Sequence, residues 1–182
     1  MEKVKVFNPT GIKVPIESTP KSSAKDIRAN LSLVKREHIK HGYLIHLDSS
    51  VTTSHYATDS QGDEERLCLV LEPGGRALIP SGLKIQLPEG FSMDVRPRSG
   101  LSLKYGVEIV NSPGLIDEDY RGDVGVIVKN GGRNSISIVD GERIAQIKIN
   151  KDYTFEWEPV ENESDLSSTV RGEGGFNSSG TK

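Results

Sequence analysis

Nineteen glycines and nine prolines break this 182-residue chain into short pieces, a punctuation that leaves little room for long helices. Between the breaks, apolar residues alternate with polar ones or form brief β-branched runs. These runs are Val4–Phe7, Cys68–Leu71, Leu83–Leu87, Val107–Val110, Val124–Val128, Ile136–Val139 and Ile144–Ile149. A two-residue period with frequent turn signals predicts an all-β sandwich or barrel. One short helical turn is expected near Lys35–His41, and no internal repeat is visible.

The length suits one domain, or one domain plus an arm. Past Trp157-Glu158-Pro159 the sequence turns polar, so the expected division is a core of residues 1–160 and a linker with a glycine-rich arm at 161–182. A net charge of −3 argues against nucleic acid as a partner, because phosphate binding needs a basic surface. The hydrophobic share of 34% is low for a chain that folds alone and suits burial against sister subunits. A single cysteine, Cys68, excludes an internal disulfide framework and suits a reducing compartment. The N-terminus has no apolar signal core and no stretch is long enough to cross a bilayer. A soluble, cytoplasmic protein without a membrane partner is expected.

Chemistry concentrates in Gly114–Asn130, GLIDEDYRGDVGVIVKN. Asp117, Glu118, Asp119 and Tyr120 fall together before the Arg121-Gly122-Asp123 turn, and Val124–Val128 follows as a strand. This reads as a hairpin with polar chemistry at its tip. It is either a small catalytic site on rigid strands or a solvated acidic turn. Leu69–Leu87 reads as a second hairpin, turning at Glu72–Gly75 and again at Pro80-Ser81-Gly82.

Elsewhere the residues leave more than one option. Asp26 alone is a turn or cap residue. Arg96-Pro97-Arg98-Ser99-Gly100-Leu101-Ser102 could grip an anion through its two arginines, a hydroxyl and the backbone N–H groups exposed at Ser99-Gly100, or be a turn with solvated arginines. Asn111 carries both a donor and an acceptor, so it can read a base edge or simply sit in a turn. Gln146, in the apolar strand Arg143–Ile149, is an edge residue or a ligand group. Ser32–Arg66 is hydrophilic and holds all four histidines, His38, His41, His46 and His55. Their spacing matches no zinc signature, so solvated histidines on an inserted polar hairpin or loop are expected. Arg171–Gly180, RGEGGFNSSG, is either a disordered tail or a phosphate-gripping arm with an aromatic lid.

Taken together, these pieces resemble the five ordered motifs of the trimeric dUTP pyrophosphatase (dUTPase) family, over nearly the whole chain except the insertion at 32–66. Ser23-Ala24-Lys25-Asp26 is similar to the first motif, where Ala-Gly-x-Asp is usual. Arg98-Ser99-Gly100 resembles the second, Gly114–Gly122 the third, Glu142–Gln146 the fourth and Arg171–Gly180 the fifth. In the fifth, Asn177 replaces a glycine, and Asn tolerates left-handed φ better than most residues.

The resemblance implies a jelly-roll-like (β-clip) homotrimer with C-terminal arm exchange and sites between subunits. It implies hydrolysis of dUTP to dUMP and pyrophosphate by in-line attack of water on the α-phosphorus, keeping uracil out of DNA and supplying dUMP for thymidylate synthesis. In that scheme Asp117 activates the water, Tyr120 lies under the deoxyribose, and Asn111, with Gly114 and Gly125, reads uracil. Arg98, Ser99, Gly100 and Gln146 match phosphate contacts. Arg171, Gly175, Ser178 and Ser179 match the arm over the β- and γ-phosphates, and Phe176 the ring stacked on uracil. Mg²⁺ would be bound chiefly by the phosphates, with Asp26 reaching it through water. Three other readings are a dCTP deaminase-type relative, a dUTP-responsive regulatory protein whose insertion binds a protein partner, and a structural trimer with a dead site. The acidic hairpin, the complete arm, and Asp117 with Tyr120 argue for the hydrolase.

Overall fold

The computed structural model describes residues 3–17, 19–33, 51–58 and 65–174. The chain divides into two compact units, Met1–Asp152 and Tyr153–Lys182. The first is all-β. Its strands are β1 (Lys5–Phe7), β2 (Ile16–Glu17), β3 (Lys25–Arg28), β4 (Val51–Thr58), β5 (Glu65–Leu71) and β6 (Arg76–Gln86). They continue with β7 (Phe91–Arg96), β8 (Val107–Ile109), β9 (Gly114–Ile116), β10 (Asp123–Asn130), β11 (Ile136–Val139) and β12 (Arg143–Lys151). They form three antiparallel sheets, ordered β1-β6-β10-β8, β11-β5-β4 and β2-β3-β12-β7-β9.

Alternation builds the core. Along β10, Val124, Val126, Val128 and Asn130 are buried while Gly125, Ile127 and Lys129 are half-buried. Val124, Val126 and Val128 meet Ala77, Ile79, Leu83 and Ile85 of β6, Met93 and Val95 of β7, and Ile144, Ala145 and Ile147 of β12 in one cluster. This is the period-2 pattern expected of a strand with one face in a core.

Four expectations about local structure are corrected. Gly114–Asn130 is not a hairpin, because β9 pairs with β7 while β10 pairs with β6 and β8. The acidic segment 117–122 therefore joins two sheets. It keeps its shape through its own contacts: Tyr120 N–H to the Asp117 carbonyl at 3.2 Å and Arg121 Nη1 to the Glu118 and Tyr120 carbonyls at 2.6 and 2.8 Å. Leu69–Leu87 is no hairpin either, since β5 pairs with β4 and β11. Pro80-Ser81-Gly82 does not reverse the chain but lies inside β6, which bends there with Gly82 at φ 74°. Proline is tolerated at such a bulge because the ladder is already interrupted.

The third correction is a helix, α1 (Ser99–Tyr105), closed by left-handed Gly106 at φ 69°, where a turn was expected. Seven residues with no buried member carry too weak a period to be read. The fourth is Asp26, which sits inside β3 rather than in a turn. The helical turn expected at 35–41 lies outside the described residues. Among the described residues, no helix is long and apolar enough to cross a membrane.

The loop after β10 is bracketed by Asn130, which is fully buried. Its amide donates to the carbonyls of Leu71 at 2.8 Å and Asn134 at 2.9 Å, and accepts from Gly132 N–H at 2.9 Å. Asn130→Ala would strand all three groups, and buried unpaired polar groups are costly. A loss of about 3 kcal/mol of unfolding free energy is expected in urea denaturation, whereas a change under about 0.5 kcal/mol would mean the loop closes without it.

Candidate active site

The five-stranded sheet brings distant parts of the chain into one corner. Asp26 of β3 pairs with Gln146 of β12, and Gln146 pairs in turn with Arg96 of β7. The next residues, Pro97 and Arg98, lead into α1. Asp26 accepts from Arg98 Nε at 2.9 Å and from Arg143 Nη1 at 3.0 Å, one arginine on each oxygen. Arg98 Nη1 also reaches the Arg143 carbonyl at 3.1 Å. Gln146 Nε2 donates to the Pro97 carbonyl at 2.9 Å, which fixes the backbone that presents Arg98. Ser99 and Gly100 follow, exposed, and a side chain at Gly100 would meet open space.

Beside this corner runs an open groove of about 570 Å³, lined by Ser23, Arg96, Pro97, Pro113, Gln146 and Lys148 among others. Arg96 is bound to Asp94 at 2.5 Å. The corner and groove thus hold four cations, Arg96, Arg98, Arg143 and Lys148, against two carboxylates, Asp26 and Asp94. In a chain of net charge −3 this is a local positive field suited to a polyanion.

The acidic segment lies elsewhere. Leu115 pairs with Asp94 and Ile116 with Met93, so β9 runs away from Arg96 and Asp117 follows at the Phe91 end of β7. Consistent with this, Glu118 accepts from Gly90 N–H at 2.7 Å in the turn before β7. Asp26 and Asp117 are separated by three strand spacings and about four residues of strand length, roughly 20 Å. One chain does not bring these two carboxylates onto a single phosphate.

Asn111, Gly114, Tyr120 and Gly125 lie along β9, β10 and the segments next to them. The Asn111 amide folds over Gly114, where a Cβ would sit 2.9 Å from Nδ2. The Tyr120 ring lies across Gly122, and its hydroxyl donates to the Asp123 carbonyl at 2.8 Å. A Cβ at Gly125 would meet the end of the Leu78 side chain at 2.7 Å. Asp117 is exposed, and among the described residues its carboxylate has no hydrogen-bond partner. In the second unit, Arg171 is exposed and its Nε donates to the Gly174 carbonyl at 2.6 Å. Gly175, Phe176, Ser178 and Ser179 lie outside the described residues.

The family profile for dUTPase matches residues 66–180. The chain belongs to the dUTPase family. The matched segment begins after most of the insertion and does not include Asp26. Deoxyuridine 5′-triphosphate nucleotidohydrolase of Beijerinckia indica is 51% identical over 112 residues, which are 62% of this chain and 68% of that protein. The dUTPase of Staphylococcus bacteriophage 80alpha, solved with dUPNHPP, superposes with a TM-score of 0.71 at 24% identity over 99% of both chains. A mutant dUTPase of S. aureus phage phi11, whose structure reveals coordination of a structural Mg(II) ion, matches with a TM-score of 0.62 at 19% identity. That match covers 88% of this chain and 98% of the phage protein. At these identities the two phage enzymes show that the fold is shared.

Reasoning from the sequence did not single out Arg143, the partnering of Arg96 by Asp94, or Asp123. Arg143 reaches Asp26 because the β3–β12 register shifts between Arg143 and Ala145. Strand pairing of that kind carries no local sequence signal.

Asp94 and Asp123 depart from ordinary carboxylate behaviour in opposite directions. For Asp94, burial is the largest influence and pushes upward. Hydrogen bonds from Arg96 and Asn150, with the charges of Arg96 and Lys148, outweigh it and hold the carboxyl below the usual value. For Asp123, burial pushes the carboxyl up against the N–H groups of Ser81 and Gly82 and the charge of Lys84. Native Asp94 binds its proton less tightly than the unfolded chain, so its contribution is complete above the ordinary carboxylate pKa and lost as pH falls through its folded value. Native Asp123 binds its proton more tightly, so stability from it falls as pH rises through its folded value. In urea titrations from about pH 3 to about pH 7, the parent's advantage over Asp94→Asn should shrink on acidification, and its margin over Asp123→Asn should shrink as pH rises. Parallel curves for either pair would contradict that assignment.

Proposed function

We propose that this dUTPase hydrolyses dUTP to dUMP and pyrophosphate, with Asp117 orienting and deprotonating the water that attacks the α-phosphorus in line. The observation that carries this reading is the convergence of β3, β7–α1 and β12 on one cationic corner, which is suited to a triphosphate. Arg98, the backbone at Ser99 and Gly100, and Gln146 would hold phosphate oxygens. Asn111 and the backbone near Gly114 and Gly125 would read uracil, and Tyr120 would leave no room for a 2′-hydroxyl. A carboxylate is a weak base, so positioning and charge stabilisation supply most of the rate. The arm residues Arg171, Gly175, Phe176, Ser178 and Ser179 would close over base and phosphates.

The separation of Asp26 and Asp117 supports sites formed between subunits of a homotrimer. One subunit would supply the cationic corner, a neighbour Asp117 and Tyr120, and the exchanged arm the lid. Mg²⁺ fits this site only at second hand. Both oxygens of Asp26 hold arginine N–H groups, and no group of three His, Cys, Asp or Glu suited to a metal occurs among the described residues. The ion would therefore ride on the phosphates, neutralising their charge, with Asp26 meeting it through water.

The first test is pyrophosphate release from dUTP, dCTP, dTTP and UTP with Mg²⁺, for the parent and for Asp117→Asn. Release confined to dUTP, and reduced by at least about a hundredfold in the variant, is expected. Release from dCTP, or an unaffected variant, would refute the reading. Sites between subunits add a second outcome. Asp117→Asn and Arg98→Ala chains, each inactive alone, should recover about a quarter of parental activity when unfolded together and reassembled, because one site in four draws both intact halves. No recovery would place each site within one chain.

A further inference from the structure

The hydroxyl of Tyr120 is anchored on the neighbouring Asp123, and Asp123 is itself held by an irregularity in the sheet. Strands β6 and β10 pair regularly from Lys129–Arg76 to Gly125–Pro80, and again at Asp123–Lys84. Between those positions one residue of β10, Val124, stands opposite three of β6: Ser81, Gly82 and Leu83. Ser81 and Gly82 are buried, so N–H groups left out of the ladder need another acceptor.

The Asp123 side chain supplies it. Its Oδ1 accepts from Ser81 N–H at 3.1 Å, and the carboxylate also accepts from Gly82 N–H. Leu83 N–H turns to Ser81 Oγ at 3.2 Å. The bend cannot relax outward, because Gly82 is boxed in. A Cβ there would run into the Asn30 amide and lie 2.8 Å from Thr10 Oγ1.

The backbone of the same residue meets the tyrosine. Asp123's carbonyl accepts from the Tyr120 hydroxyl at 2.8 Å, and the ring covers Gly122, where a Cβ would fall 2.5 Å from Cζ. The carboxylate of Asp123 therefore fixes the start of β10, and its carbonyl passes that position on to the ring. We propose that Asp123 is a positioning residue that sets the ring of Tyr120, and through it the discrimination between 2′-deoxy and 2′-hydroxy nucleotides. This rests on the assignment of Tyr120 to the face of the sugar. Glycine at 122 is required for the ring to lie where it does, and a side-chain acceptor at 123 is required for the ring to stay there. An alanine at 123 frees the bend and, with it, the carbonyl.

The test uses the full-length protein and compares kcat/KM for dUTP and UTP in the parent, Asp123→Ala, Asp123→Asn and Tyr120→Phe. Asp123→Ala should shift the UTP-to-dUTP ratio toward UTP by about tenfold, the low end of what one misplaced contact is worth in discrimination. Asp123→Asn should restore most of the parental ratio, since its amide oxygen still accepts from Ser81 N–H. Tyr120→Phe should shift the ratio the same way and add little on top of Asp123→Ala. Equal losses on both substrates, with the ratio unchanged, would make Asp123 a mere staple of the sheet and overturn the proposal. Should Asp123→Ala not fold, the ratio in Tyr120→Phe decides. A readout without turnover separates this from the hydrolase assignment: ring ¹³C resonances of Tyr120 should broaden or average in Asp123→Ala relative to the parent. If the parent does not cleave dUTP, the assigned function fails, while unchanged Tyr120 resonances would overturn the role of Asp123 independently.

Discussion

The cationic corner of this molecule depends on the register of β12 between β3 and β7. Gln146 faces Asp26 on one side and Arg96 on the other, and that alignment brings Arg98 and Gln146 into one corner. A slip of one residue would send Gln146 into the core and Ile147 out. The core makes this slip costly. Ile144, Ala145 and Ile147 are buried with Met93 and Val95, so the hydrophobic pattern locks the polar one. The register shift between Arg143 and Ala145 then turns one further arginine toward Asp26. Asp26, its side chain 11% exposed, is a nearly buried carboxylate with an arginine on each oxygen. Such an arrangement holds cations in place more than it stabilises the fold.

The strands were legible because their signal is local. Ile136–Val139 is read from the sequence with the bounds it has in the fold, and Val124–Val128 lies within β10. What eluded the sequence is which strand lies beside which. Gly114–Asn130 contains two strands around a turn-rich segment, and nothing in those residues says that β9 and β10 belong to different sheets. Pro80-Ser81-Gly82 has the composition of a reversal but makes a bend, because the partner strand continues past it. The same limit hid Arg143 and Asp123. Each gains its place from a ladder irregularity, and each partner lies far away in sequence, 117 residues for Arg143 to Asp26 and 42 for Asp123 to Ser81. Asp26 and Gln146 became legible through resemblance to a family, since alone each had an ordinary explanation.

The roughly 20 Å between the cationic corner and Asp117 follows from the same sheet. Because β9 runs antiparallel to β7, its start lies near Arg96 and its end near Phe91. Asn111 and Pro113 are therefore left on the groove side, while Asp117 is carried off. A chain built this way separates the charges that would hold phosphate from the charge that would activate water. Kept apart, these charges of opposite sign do not neutralise one another in the free subunit. Such pairing would otherwise blunt both, as Asp94 and Arg96 do.

Compared side by side, the acids divide by task. Asp26 is taken by two arginines, Asp94 by Arg96, Asp123 by backbone N–H groups and Glu118 by Gly90. Each has at least one oxygen committed to holding some part of the chain. Asp117 is exposed, sits between the ordered end of β9 and the turn closed by Tyr120 N–H, and has no such commitment among the described residues. A general base must keep lone pairs available for a proton and be held by its backbone rather than by its own oxygens. Of these five carboxylates Asp117 meets both conditions.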